Sequence, residues 1–309
     1  MGNALRTTLR FVRNRLVDFA YIANTMSRPE PKRKACVLYV YADTNKYPHS
    51  LTALRKIISR IRGYELTLIS IDNFRETKIP TQISAGYFDM GGDNTQWEFS
   101  GWKAGLEYLN SISLDFDVAI FVNDSFLNRS NEGFDADWFA HAFNALMLDQ
   151  IDPETAMGRI WESEAENRIY GRTVGSFLQT HFFALGGELV RKIPFPALTS
   201  QEVSQIIPDS WKGEWFYPGN IVSSEMKNFL IRYLTQQWKF KRPANESNWP
   251  ILRGKTIAML NERLLTMAVC NVGGRILSLE HGRDIIHGHL RMRDCTLEIC
   301  RNSHNGPEN

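Results

Sequence analysis

Cysteine is scarce and unpatterned: four in 309 residues, at positions 36, 270, 295 and 300, with no CxxC pair. That excludes a disulfide scaffold, offers no zinc signature, and reads as buried thiols in a reducing compartment. No run approaches the roughly 18 uninterrupted apolar residues of a spanning helix. The richest stretches, 35–42 and 118–122, are strand-length. No GxGxxG follows the first apolar run and no GxxxxGK[ST] occurs anywhere, which excludes a Rossmann dinucleotide site and a P-loop. Charge of one sign is also lacking, with 36 Lys and Arg against 34 Asp and Glu. The basic excess is local: residues 1–34 carry eight basic against two acidic side chains. A nucleic-acid footprint would continue as a basic stripe over the folded body, and none does.

Within that arm, Leu5, Leu9, Val12, Leu16 and Phe19 follow helical spacing, flanked by Arg6, Arg10 and Arg13. A basic amphipathic helix of this kind suits peripheral contact with an anionic membrane, or docking on the chain's own body or on a second copy. Arg10, Arg13, Arg15 and Asp18 break the apolar core that a cleavable signal would need. Residues 27–34, with two prolines and four basic side chains, read as a linker. The expected organisation is an arm and linker over 1–34, one domain over 35–300 and a disordered tail over 301–309.

From residue 35 the pattern is strand (36–42), helix (51–61), strand (66–71), then helix (99–109) and strand (118–122). Alternation of this kind predicts an α/β fold with a mostly parallel sheet flanked by helices. Farther on, 180–185 reads as a strand, 223–239 and 260–270 as helices, and 241–250 as a polar loop. Ligands of such sheets sit beyond the carboxyl ends of the strands. Those ends carry Asp43, then Asp72 and Asn73, then Asn123, Asp124 and Ser125.

Three blocks carry a family resemblance. Residues 94–106 (NTQWEFSGWKAGL), 117–125 (DVAIFVNDS) and 171–185, which include Gln179 and His181, resemble the rhamnan synthesis protein F group of polysaccharide glycosyltransferases. The resemblance implies a GT-A-like fold. It also implies an inverting transfer of a sugar, rhamnose or another deoxyhexose, from a nucleotide-diphosphate donor to a growing cell-surface polysaccharide or O-antigen. It gives Asp43 and Asp72 roles on the base and ribose. Where a GT-A strand carries Asp-x-Asp, this chain has Asn123 and Ser125 around Asp124. Hard cations prefer anionic oxygen, so the expectation is no required metal, or a weak Mg or Mn held by Asp124.

An inverting transfer needs a base for the acceptor hydroxyl and help for the departing diphosphate. Glu262, read as opening a late helix, is the first choice of base, ahead of Glu98 and Asp124; a first-turn glutamate can also serve only the helix dipole. Asn94, Trp97 and Glu98 are donor-side candidates at a loop-to-helix transition, with Trp97 assigned to ligand and Trp102 to packing. Gln179, His181, His287 and His289 are candidates for the acceptor or the diphosphate. The expected partners are the nucleotide-sugar donor, a glycan or lipid-linked glycan acceptor and a possible second copy. The expected location is the cytoplasm, with peripheral contact at the inner membrane face through residues 5–19. The rivals are a nucleotidyltransferase or sugar-phosphate hydrolase, against which the Asn-Asp-Ser end argues, and a degenerate non-catalytic domain that binds glycan or a partner.

Overall fold

The computed structural model of the chain describes residues 33–75, 79–127, 139–140, 142–144, 153–238 and 241–279, without the side chains of 162–167 and 174. The arm, the C-terminal tail, His287 and His289 lie outside the described residues.

Arg33–Tyr41 forms β1, two residues earlier than the linker reading placed it, because the Arg33 amide already bonds Gly63 O at 3.0 Å. Ser50–Ile58 forms α1 and Tyr64–Asp72 forms β2. Three short strands follow, β3 (Thr81–Ser84), β4 (Tyr87–Gly91) and β5 (Thr95–Trp97). Next come α2 (Glu98–Ser111), β6 (Val118–Asn123), β7 (Thr155–Ile169) and β8 (Arg172–Gly186). The chain continues through α3 (Gly187–Lys192), α4 (Ser200–Ile206), α5 (Ser224–Arg232) with a π-turn over Tyr233–Gln237, α6 (Trp249–Asn271) and β9 (Arg275–Ser278).

Eight strands make one sheet in the order β3-β4-β2-β1-β6-β8-β7-β9. The pairs β4-β2, β2-β1, β1-β6 and β7-β9 are parallel, while β3-β4, β6-β8 and β8-β7 are antiparallel. The architecture is therefore the α/β sheet flanked by helices that the sequence pattern predicts. Among the described residues no helix is long and apolar enough to cross a membrane.

Alternation along β1 divides the core. Ala35, Val37 and Tyr39 face Leu54, Ile57 and Ile58 of α1, whereas Cys36, Leu38 and Val40 face Phe99, Trp102 and Leu109 of α2. A strand buried on both faces loses its polar alternation, which is why 35–42 reads as a continuous apolar run. Two glycines let α2 lie close to the sheet. A Cβ at Gly101 would come within 2.8 Å of Val40 Cγ2, and one at Gly105 within 2.8 Å of Leu38 Cδ2. Trp102 is fully buried and donates from Nε1 to Leu38 O (3.1 Å) and Val122 O (3.3 Å). Phe99, Phe121, Phe183 and Phe195 surround its ring at 5.3–6.2 Å, so the packing role expected of it holds.

The β7–β8 hairpin closes at Tyr170-Gly171, both at positive φ (54° and 74°), as a two-residue turn with the strand twist requires. Its register then breaks. Ile160 pairs with Leu178 and Gly158 with Phe183, so residues 179–182 of β8 stand against Arg159 alone. This bulge falls where β6 ends, Val122 pairing with Phe182. Cys36 is a free buried thiol, its pKa pushed up by burial. Cys270 is disulfide-bonded, so the expectation of buried thiols fails there.

Candidate active site

The carboxyl ends of β1, β2 and β6 meet on one edge of the sheet, and short polar side chains tie their loops together. Asp124 is buried, and its Oδ2 accepts from the amides of Ala42 (2.8 Å) and Asp43 (3.1 Å), fastening the loop after β1 to the end of β6. Burial raises its carboxyl above the usual range, partly offset by those two amide bonds. Asp43 is exposed and accepts from Lys46 N at 2.9 Å. Asp72 accepts from Phe74 N at 3.1 Å and acts electrostatically on Tyr41 and Arg75, in a group completed by the 2.7 Å Arg75–Asp89 ion pair. Asn123 and Ser125 are half-buried and bond each other, Ser125 Oγ donating to Asn123 Oδ1 at 2.9 Å.

Asn73 governs the approach to α2. Its Nδ2 donates to Asn94 Oδ1 (2.8 Å) and to Trp97 O (2.9 Å), across a turn in which Asn94 and Trp97 both take positive φ, 50° and 54°. A positive φ at a bulky aromatic is strained and persists only where the surroundings over-determine it. Here the Trp97 carbonyl also accepts from Ser100 Oγ at 3.0 Å. The indole lies on Gly254 of α6, where a Cβ would run into Nε1 and approach Cδ1 to 2.5 Å. Trp238 packs at 6.2 Å from that ring, and the Lys255 ammonium stands 5.4 Å from its centroid. Trp97, expected to meet the ligand, packs α2 against α6 with its ring half-buried, because the glycine leaves it a seat on the helix backbone.

Glu262 lies in the middle of α6 and not at a helix start, so neither a capping nor a dipole role applies. The helix begins at Trp249, with Pro at its amino end, eleven residues before the start that periodicity suggested. Burial nearly all round from Thr256 to Cys270 flattens the amphipathic signal of the helix. Glu262 Oε1 accepts from the amide (2.9 Å) and the hydroxyl (3.1 Å) of Thr180, within the β8 bulge. The neighbouring Asn261 closes a buried ring of bonds: its Oδ1 accepts from Leu198 N (2.8 Å), its Nδ2 donates to Gln96 Oε1 (3.0 Å), and Gln96 Nε2 donates to Leu198 O (3.1 Å). Gln179 and His181 flank Thr180 and are both buried; Gln179 Oε1 has no hydrogen-bond partner among the described residues.

Glu98 feels the charges of the two other sequence-selected acids. Burial raises the Glu98 carboxyl, Glu262 and Asp124 raise it further, and Lys255 and its own amide pull it down. Thr180, Lys255 and Gly254 are the site residues that the sequence did not single out. The signal for the last two was Trp249-Pro250, which moves the start of α6 upstream of them.

These groups do not suit a hard divalent cation. Asp124 has one oxygen committed to two backbone amides, its neighbours Asn123 and Ser125 are neutral and bonded to each other, and no group of three His, Cys, Asp or Glu among the described residues is placed to hold a metal. A separate cavity of about 520 Å³ lies between α2 and α3, beside Phe116 at the amino end of β6. Its rim charges Lys103, Glu107, Asp115 and Arg191 are ion-paired, and none of the acids above lines it.

No family model and no curated protein matches the chain. Among solved structures, a mannosyltransferase from Pyrobaculum calidifontis in complex with GDP-mannose and Mn2+ is similar at 12% identity and a TM-score of 0.33, over 87% of this chain and 85% of its own. A likeness of that size carries no argument about substrate or mechanism.

Proposed function

We propose that the chain is a nucleotide-sugar-dependent glycosyltransferase of GT-A type, moving a hexose such as rhamnose or another deoxyhexose onto a cell-surface polysaccharide or O-antigen, with inversion. The observation that carries this reading is the convergence of Glu98, Asp124 and Glu262 at the carboxyl edge of the strands, beside the β8 bulge. The resemblance of residues 94–106, 117–125 and 171–185 to rhamnan synthesis protein F points the same way.

Glu262 is suited to the role of base. Its Oε1 is anchored by Thr180, and its Oε2 makes no hydrogen bond among the described residues. In the step we envisage, Oε2 takes the acceptor hydroxyl proton as the acceptor oxygen bonds the anomeric carbon. The bond from that carbon to the diphosphate oxygen breaks on the opposite face, and the diphosphate leaves with the electron pair. Asn123 and Ser125 offer neutral donors and acceptors to sugar hydroxyls, Asp43 and Asp72 offer carboxylate oxygens to the hydroxyls and N–H groups of the nucleoside, and Gln179 and His181 are placed for the acceptor. No step is routed through a metal.

A non-catalytic glycan- or partner-binding domain is the second reading. It is favoured by the commitment of Asp124 to the Ala42 and Asp43 amides, which is a structural use of the strand-end carboxylate. Isothermal titration against the diphosphates and sugars of dTDP, UDP and GDP, with manganese and then with EDTA, separates the two. Micromolar binding of one nucleotide that survives EDTA supports the transferase; no binding to any nucleotide overturns it.

A further inference from the structure

Displacing a nucleoside diphosphate leaves a dense negative charge, and this site already carries three acids that act on one another. Glu98, Asp124 and Glu262 would repel a diphosphate unless a positive group stood among them. The residues at the β6 end do not fit a hard cation, as argued above. Lys255 is the cation that the fold brings here from α6.

Several features hold it in place. Gly254, the residue before it, lets the Trp97 indole lie directly on the helix backbone. The ring so seated carries the Lys255 ammonium at 5.4 Å from its centroid, within the range of a cation–π contact. The same turn places Glu98, the first residue of α2, under the electrostatic influence of Lys255. Lys255 is half-buried and makes no close ion pair among the described residues. Its charge is held at the site by a ring, with Glu98 the acid it acts on. The amino end of the fourteen-residue α2 adds a dipole of the same sign.

We infer that Lys255 receives the diphosphate of the donor, supplying by an ammonium the charge that a divalent cation supplies where a strand ends in two carboxylates. The inference rests on the transferase reading and names the group that makes such a site independent of metal. Lys46, on the exposed loop after β1, acts on Asp124 from the other side and stands 5.2 Å from the ring of its neighbour Tyr47.

The test is titration of the full chain in EDTA with the three nucleoside diphosphates and the matching free nucleosides, for the wild type, Lys255→Met, Lys255→Arg and a control, Lys103→Met. A charge-assisted contact to phosphate predicts that Lys255→Met weakens diphosphate binding by roughly 10–100-fold. Nucleoside binding stays unchanged, Lys255→Arg recovers most of the loss, and Lys103→Met behaves as wild type. Thermal melting within a few degrees of wild type shows that the fold of Lys255→Met is intact. Equal diphosphate affinity in the wild type and Lys255→Met overturns the inference and leaves the transferase reading standing, as does diphosphate binding that requires manganese. Absence of any nucleotide binding by the wild type overturns both.

Discussion

Gly254→Ala tests the packing that builds the site. In the middle of a helix this change ordinarily stabilises, by about 1 kcal/mol, through helix propensity. Here the new methyl would meet Trp97 Nε1, with Cδ1 at 2.5 Å and Cε2 at 3.0 Å, so the indole must leave. Overpacking of this kind costs about 1–3 kcal/mol, and loss of the Lys255 cation–π contact adds about 0.5–1 kcal/mol. The expected net effect is a destabilisation of about 0.5–3 kcal/mol. In a Trp97→Gly background, where the φ of 54° is unstrained and the ring is gone, the same substitution should stabilise by about 1 kcal/mol. Urea unfolding followed by circular dichroism, for both single variants and the double variant, gives the coupling energy. A stabilising Gly254→Ala in the wild-type background would refute the placement of Trp97 on α6 and, with it, the seat described for Lys255.

Three further outcomes follow from the geometry. Glu98 has a folded-state pKa raised by burial and then by Glu262 and Asp124, although Lys255 opposes the shift. Its ionisation therefore works against folding as pH rises through that folded value. Glu98→Gln should accordingly raise the melting temperature at pH 8, with the gain shrinking on acidification and gone below the ordinary glutamate value of 4.5; an equal gain at both ends of the range contradicts it. Trp102→Ala removes a fully buried ring from among four phenylalanines and should cost about 3–5 kcal/mol in urea unfolding. Asn261→Ala leaves Leu198 N and Gln96 Oε1 without their partner. It should cost about 1–3 kcal/mol per orphaned group, and a neutral result would remove the ring of bonds from the account.

The parallel half of the sheet was legible because β1, β2 and β6 are buried strands bounded by polar loops, and α1 and α2 keep a clear apolar stripe. The strands β3, β4 and β5, of five residues or fewer, were not, since each is too short to show a period of its own. Nor was β7, whose run Trp161-Glu162-Ser163-Glu164 has no apolar alternation and whose turn, Tyr170-Gly171, is not the usual Asn-Gly. The strand-end rule led directly to Asp43, Asp72 and Asp124, and a single block to Glu98. What sequence spacing did not reveal is that α6 brings both Glu262 and Lys255 against them. A helix buried on most sides shows no face, so neither its start nor the side chains that it points at the strand ends can be read from periodicity.

The most direct test of the central claim is release of nucleoside diphosphate. The full chain, incubated with the dTDP-, UDP- and GDP-sugars in EDTA and a polysaccharide or lipid-linked acceptor, should release one diphosphate. Glu262→Gln, which keeps a carbonyl oxygen for Thr180 to bond, should fold normally and release it about 10²–10⁴-fold more slowly. No release from any donor by the wild type, or equal release by Glu262→Gln, would contradict the account.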